Sequence, residues 1–204
     1  LAMAQHQLVG ADRFLNDARA AMDGHRRSKA LWSIVLARMM VEEARFWLGL
    51  PKDFSEHPDE IAYDVSSEIV SRHIANARAS VVYAFLIVGD EQAELMDEAV
   101  SALELAEDEE MGGWYAAAIL DAIEAEVKAS LALELLDDAD PRDRLSYAMN
   151  GARGAIMESR NQGADPVPAV VYYELGASNE GKDPIQGLVD YKISMYLACL
   201  AQEC

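Results

Sequence analysis

Apolar residues recur every three or four positions along most of the chain, a spacing that lines one face of an α-helix rather than alternate faces of a strand. Turn signals divide this pattern into about eight segments, near 5–22, 27–48, 59–88, 91–108, 113–136, 141–160, 167–177 and 185–202. Asp140-Pro141, Asp165-Pro166 and Asp183-Pro184 each set a capping carboxylate ahead of a proline whose missing N–H costs nothing at the first helical position. Gly49 with Pro51 closes the second segment, Gly89-Asp90 reads as a terminal glycine before a new cap, and Gly112-Gly113 opens the fifth. The best strand signal, Val170-Val171-Tyr172-Tyr173, is too short and too isolated to build a sheet.

Short connections predict antiparallel αα-hairpins, so the chain reads as all-α: a bundle, or a short array of the tetratricopeptide kind without its strict period. Residues 1–50 form a first helical pair, 51–58 a linker and 59–204 a hairpin array, with the whole taken as one continuous domain. Segment 113–136 keeps small side chains through several turns, which lets helices approach closely. Ala117 is expected at such a contact, with Trp114 or Tyr115 filling the space beside it. The chain opens without Met and stops inside a helical pattern, which reads as a segment of a longer protein.

With 204 residues, 51% of them apolar, the chain can bury a full core without metal or disulfides. Its 17 basic against 36 acidic residues give a formal charge of −19, a field that repels phosphate backbones and anionic headgroups. Nucleic acid is therefore excluded as a partner, and a protein or another domain of the same polypeptide is expected instead. No run of about 18 apolar residues exists, so no direct membrane insertion is expected. The two cysteines, Cys199 and Cys204, lie five apart and support neither a disulfide framework nor a zinc site.

Candidate chemistry is sparse. Gly176-Ala-Ser-Asn-Glu-Gly181-Lys182 has the spacing of a phosphate-binding loop, but Asp183 replaces the magnesium-binding hydroxyl and Pro184 removes a backbone donor. An ordinary loop between helices is expected there. None of His6, His25, His57 and His73 has a Glu three residues before it, so the paired Glu-x-x-His motif of di-metal bundles is missing, and no metal or cofactor is expected. Glu107-Asp108-Glu109-Glu110 and Asp137-Asp138-Ala139-Asp140 read as solvated acidic turns. No nucleophile stands in a glycine-bounded turn. The aromatic pairs Trp114 with Tyr115 and Tyr172 with Tyr173 are the candidate partner-binding residues, either lining a groove or wedging hairpins together.

Glu98-Ala99, Leu103 and Ala106, then Gly113-Trp114-Tyr115-Ala116-Ala117-Ala118 with Ala122 and Ala125, resemble the helical region that follows the catalytic domain in archaeal Lon-related serine proteases. Pro168-Ala-Val-Val-Tyr172-Tyr173-Glu174 and the later Asp190-Tyr191-Lys192 with Tyr196-Leu197-Ala198 are a second match, so the resemblance spans roughly the second half of the chain. It implies an accessory domain, extracytoplasmic or membrane-tethered, beside a Ser-Lys protease segment. No Asp-Gly-Pro-Ser sequence occurs here, so no catalytic residue carries over. The leading expectation is a noncatalytic helical interaction domain; the alternative is a bundle enzyme or ligand-binding protein that uses helix-borne carboxylates.

Overall fold

Two of the three Asp-Pro starts work as caps: Arg142 N–H donates to the Asp140 carboxylate at 2.9 Å and Gln186 N–H to that of Asp183 at 3.0 Å. The third does not. Val167 N–H bonds the Asp165 carbonyl at 2.9 Å, which bends the chain first and leaves Pro166 outside the helix, with no side-chain cap. The computed structural model describes residues 2–54, 66–137 and 140–203. In chain order its helices are α1 (Ala2–Asp23), α2 (Arg27–Phe54), α3 (Ser67–Ile87), α4 (Ala93–Met111), α5 (Tyr115–Glu134), α6 (Pro141–Asn161), α7 (Val167–Asn179) and α8 (Pro184–Glu203). The architecture is all-α, with no strand among the described residues, and Val170–Tyr173 lies within α7. Among the described residues no helix is long and apolar enough to cross a membrane.

The chain divides into two compact units, Leu1–Ser71 with Ala106–Leu120, and Arg72–Leu105 with Asp121–Cys204. Helix α2 runs to Phe54, four residues into the expected linker 51–58, whose remainder lies outside the described residues.

In the first unit α1 and α2 pack as a hairpin along a seam of alanines. Ala4, Ala11 and Ala18 on one helix, and Ala30, Ala37 and Ala44 on the other, recur every seven residues and are all at most 5% exposed. Seven residues are close to two turns, so each set forms one stripe, and methyl side chains let the backbones approach. A Cβ on Gly10 would meet Met40 Sδ at 2.6 Å, which marks how near the helices come. The α4–α5 turn needs Gly113 at φ 76°, with Trp114 N–H bonded to the Glu109 carbonyl at 2.8 Å in the manner of a glycine-terminated helix end.

Helix α5 is buried around most of its circumference, from Ala117, Ala118, Ile119 and Leu120 through Ile123 and Val127 to Leu131 and Ala132. A helix apolar on all sides belongs in the core. Ala117 and Ala118 are fully buried, whereas Ala116 is half-exposed. Ala117→Leu and Ala118→Leu are each expected to cost about 1–3 kcal/mol through overpacking, and Ala116→Leu clearly less. Denaturant titration of the three variants checks this; three equal losses, or none, would contradict the burial described.

In the second unit α8 packs against both α6 and α7. Ile156, Ala169 and Ala198 form the shared core, and the buried Ser194 hydroxyl donates to the Ala169 carbonyl at 2.7 Å. Helix α7 continues through Gly176 to Asn179, beyond the helix end expected near 177. The reason lies in α8. The Tyr191 ring crosses α7 at Gly176, where a Cβ would stand 2.8 Å from Cδ1, so the glycine serves close packing and not phosphate contact. Gly181 and Lys182 form the turn between these two helices, as expected of an ordinary loop.

Candidate functional site

The alanine seam uses only a narrow stripe of α2 and leaves a second apolar stripe of larger side chains without cover. Trp32, Val35, Met39 and Phe46 follow one another at helical spacing and are 47–63% exposed, with Leu31 and Ile34 beside them. Single exposed apolar residues are ordinary, whereas several on one helix face are a candidate interaction surface. Arg27, Lys29, Arg38 and Arg45 also lie on α2, which carries five basic and three acidic residues within a chain of net charge −19. Glu42 and Glu43 stand between Met39 and Phe46, and Arg45 pairs with Glu42 at 3.0 Å, so the charge beside the stripe is of both signs. In the second unit the C-terminal turns of α3 carry a further exposed group, Val82, Tyr83, Phe85, Leu86 and Ile87.

Sequence reading singled out other aromatics. Trp114 is 39% exposed and folds back over Gly112, where a Cβ would meet its Cδ1 at 2.7 Å, while the neighbouring Tyr115 is half-buried. Tyr172 and Tyr173 are both half-buried on α7, and Tyr173 packs against Tyr191 with ring centroids 5.4 Å apart. The first pair belongs to one unit and the second pair to the other. Trp32, Val35, Met39 and Phe46 were missed, although a signal was present. Segment 27–48 has apolar residues on more than one face, and its seven-residue alanines identify which face is the seam.

Ionisable groups enter the interior more than the sequence suggested. The acidic run 107–110 is not a solvated turn: Glu109 is 1% exposed, Asp108 meets Arg13 at 3.3 Å, and Glu110 accepts from the Ser71 hydroxyl. Helix periodicity turns one of four consecutive carboxylates inward. Within the first unit His6 and Glu109 each bring a potential ligand atom within 4.8 Å of the other, a nitrogen and oxygen pair of the kind that a borderline metal accepts.

In the second unit Asp121 and Asp190 are buried on α5 and α8. Burial pushes the Asp190 carboxyl above its usual range, against hydrogen bonds from Asn179 at 2.7 Å and Gln186 at 2.8 Å that favour its charge. Burial likewise drives the Tyr172 hydroxyl far up, and the charges of Glu124, Asp121 and Asp190 add to it. Lys128 is the cation of this interior. Burial works against its charge, but Glu124 at 2.6 Å and Glu98 at 2.9 Å outweigh that and hold its pKa above the usual lysine value. No family model, curated protein or solved structure matches the chain.

Proposed function

We propose that this chain is a noncatalytic helical interaction domain that docks a protein partner, or another domain of the same polypeptide, on the exposed face of α2. The observation that supports this reading is the uncovered stripe Trp32, Val35, Met39 and Phe46. Large apolar side chains held on a rigid helix lose little conformational freedom on binding, and such anchors carry most of the affinity of an interface. The charges of both signs on α2 favour a partner whose apolar patch has a mixed polar rim. The resemblance to Lon-related proteases extends the proposal: the domain would hold a protease segment, or a substrate chain, in place.

Photocrosslinking from position 35 in the host cell tests the proposal, by comparing the native chain with a Trp32→Glu, Met39→Glu double variant. One discrete crosslinked protein is expected, reduced at least about tenfold in the variant while its melting temperature stays within a few degrees. No discrete product, or a product indifferent to the two substitutions, would overturn the reading.

A second reading, a ligand-binding or catalytic bundle that uses helix-borne carboxylates, draws on the burial of Asp121 and Asp190 beside Tyr172. A desolvated carboxylate with a raised pKa, as at Asp190, is a mark of functional sites, although structural networks shift such groups too.

A further inference from the structure

A cleft of about 530 Å³ opens in the second unit, lined from α6, α8 and the end of α5. Its volume falls within the range of small-molecule sites. Two cations reach one carboxylate there: Lys192 Nζ lies 2.6 Å from Glu134 Oε1, and Arg144 Nη1 lies 3.4 Å from Glu134 Oε2. A guanidinium offers five N–H donors and an ammonium three, and Glu134 takes one from each. The Arg144 Nε atom is buried and has no hydrogen-bond partner in the protein. That atom is closed to solvent, so the capacity for a further anion rests on the guanidinium and ammonium N–H groups that Glu134 leaves unused.

Asp143 apart, the rest of the lining is apolar or aromatic. Leu188 and Met195 come from α8, Gly151 from α6 presents backbone without a side chain, and Tyr147 is 86% exposed. Asp143 is the one carboxylate besides Glu134 in the lining, and the two together disfavour a doubly charged phosphate. The two cations and two carboxylates of the lining balance, and a single planar carboxylate, which matches the fork of an arginine, adds the least charge to them.

We propose that this cleft binds a small amphipathic monocarboxylate, its carboxylate held by Arg144 and Lys192 and its apolar body against Gly151 and Met195. Specificity comes from pairing a charge-assisted contact with apolar burial, so neither half of the ligand suffices.

Calorimetric titration of the full chain with octanoate tests this, with octanamide and octylammonium as probes of the same length. Saturable one-to-one binding of octanoate is expected, with octanamide at least about tenfold weaker and octylammonium weaker still. Arg144→Gln and Lys192→Gln should each weaken octanoate binding about tenfold or more, and raising the salt concentration should weaken it in the native chain. Gly151→Leu fills the cleft without altering a charge and should abolish binding, with helix content by circular dichroism unchanged. It decides the matter if either charge variant fails to fold. Octanamide binding as tightly as octanoate, binding indifferent to Gly151→Leu, or no saturation by about 10 mM octanoate would overturn the proposal.

Discussion

Gly176→Ala is expected to destabilise the protein by about 1–3 kcal/mol, although alanine in place of glycine inside a helix ordinarily stabilises by about 1 kcal/mol. The sign is reversed by one neighbour. The new methyl would stand 2.8–3.0 Å from Cδ1, Cε1 and Cγ of Tyr191, whose residue is fully buried and whose hydroxyl donates to Glu180. The ring is held at one end by its backbone and at the other by Glu180, so it must shift against both to admit the methyl. Tyr191→Ala alone should cost about 3–5 kcal/mol, since it removes a buried aromatic and leaves a cavity. In that background Gly176→Ala should become neutral or stabilising, giving a coupling of about 1–3 kcal/mol in a double-mutant cycle measured by urea unfolding. Additive effects would mean that the ring does not cross α7 at Gly176.

Above pH 10 the second unit is expected to lose stability steeply. Burial, with the Glu126 charge and hydrogen bond, pushes the Tyr196 hydroxyl from 10.0 up to about 12. Burial also drives Tyr172 and Tyr191 upward, and Lys128 is held above its usual value by Glu124 and Glu98. The sign is the same for all four groups. Each keeps its proton more tightly folded than unfolded, so its contribution is full below the unfolded pKa and is lost as pH rises through the folded one. For Tyr196 the window runs from pH 10.0 to about 12. With an allowance for solvent screening, its share is on the order of 1–2 kcal/mol. Melting temperatures between about pH 8 and 12 measure the fall, and Tyr196→Phe, which has no hydroxyl proton to lose, should fall less. A native profile that stays flat, or a Tyr196→Phe profile parallel to it, would contradict this account.

The two expectations differ in how much of them could be read from the chain. Helix number, helix type and the caps at Asp140 and Asp183 depend on interactions within a few residues, so the sequence was enough to place them. The cap expected at Asp165 failed because an alternative local hydrogen bond, from Val167 to its carbonyl, competed with it. The burial of Ala117 was legible from the density of small residues around it. Gly176 was legible only as a glycine, and its spacing to Lys182 suggested a loop until the ring from α8 explained its missing side chain.

The candidate sites lie further from the sequence. The apolar faces of α2 were visible as a pattern, but which face is seam and which is uncovered depends on how α1 lies against it. Arg144, Lys192 and Glu134 carry no motif, because they come from three helices that only packing brings together. The sequence by itself determined an all-α, acidic chain, with eight α-helices among the described residues and its main turns, since periodicity, capping and composition act over short separations. Tertiary structure alone decided which carboxylate of 107–110 turns inward, which tyrosine needs a glycine opposite it, and which cations meet in a cleft. These are contacts between residues far apart in the chain, and their energies depend on distances and burial that local propensity does not encode.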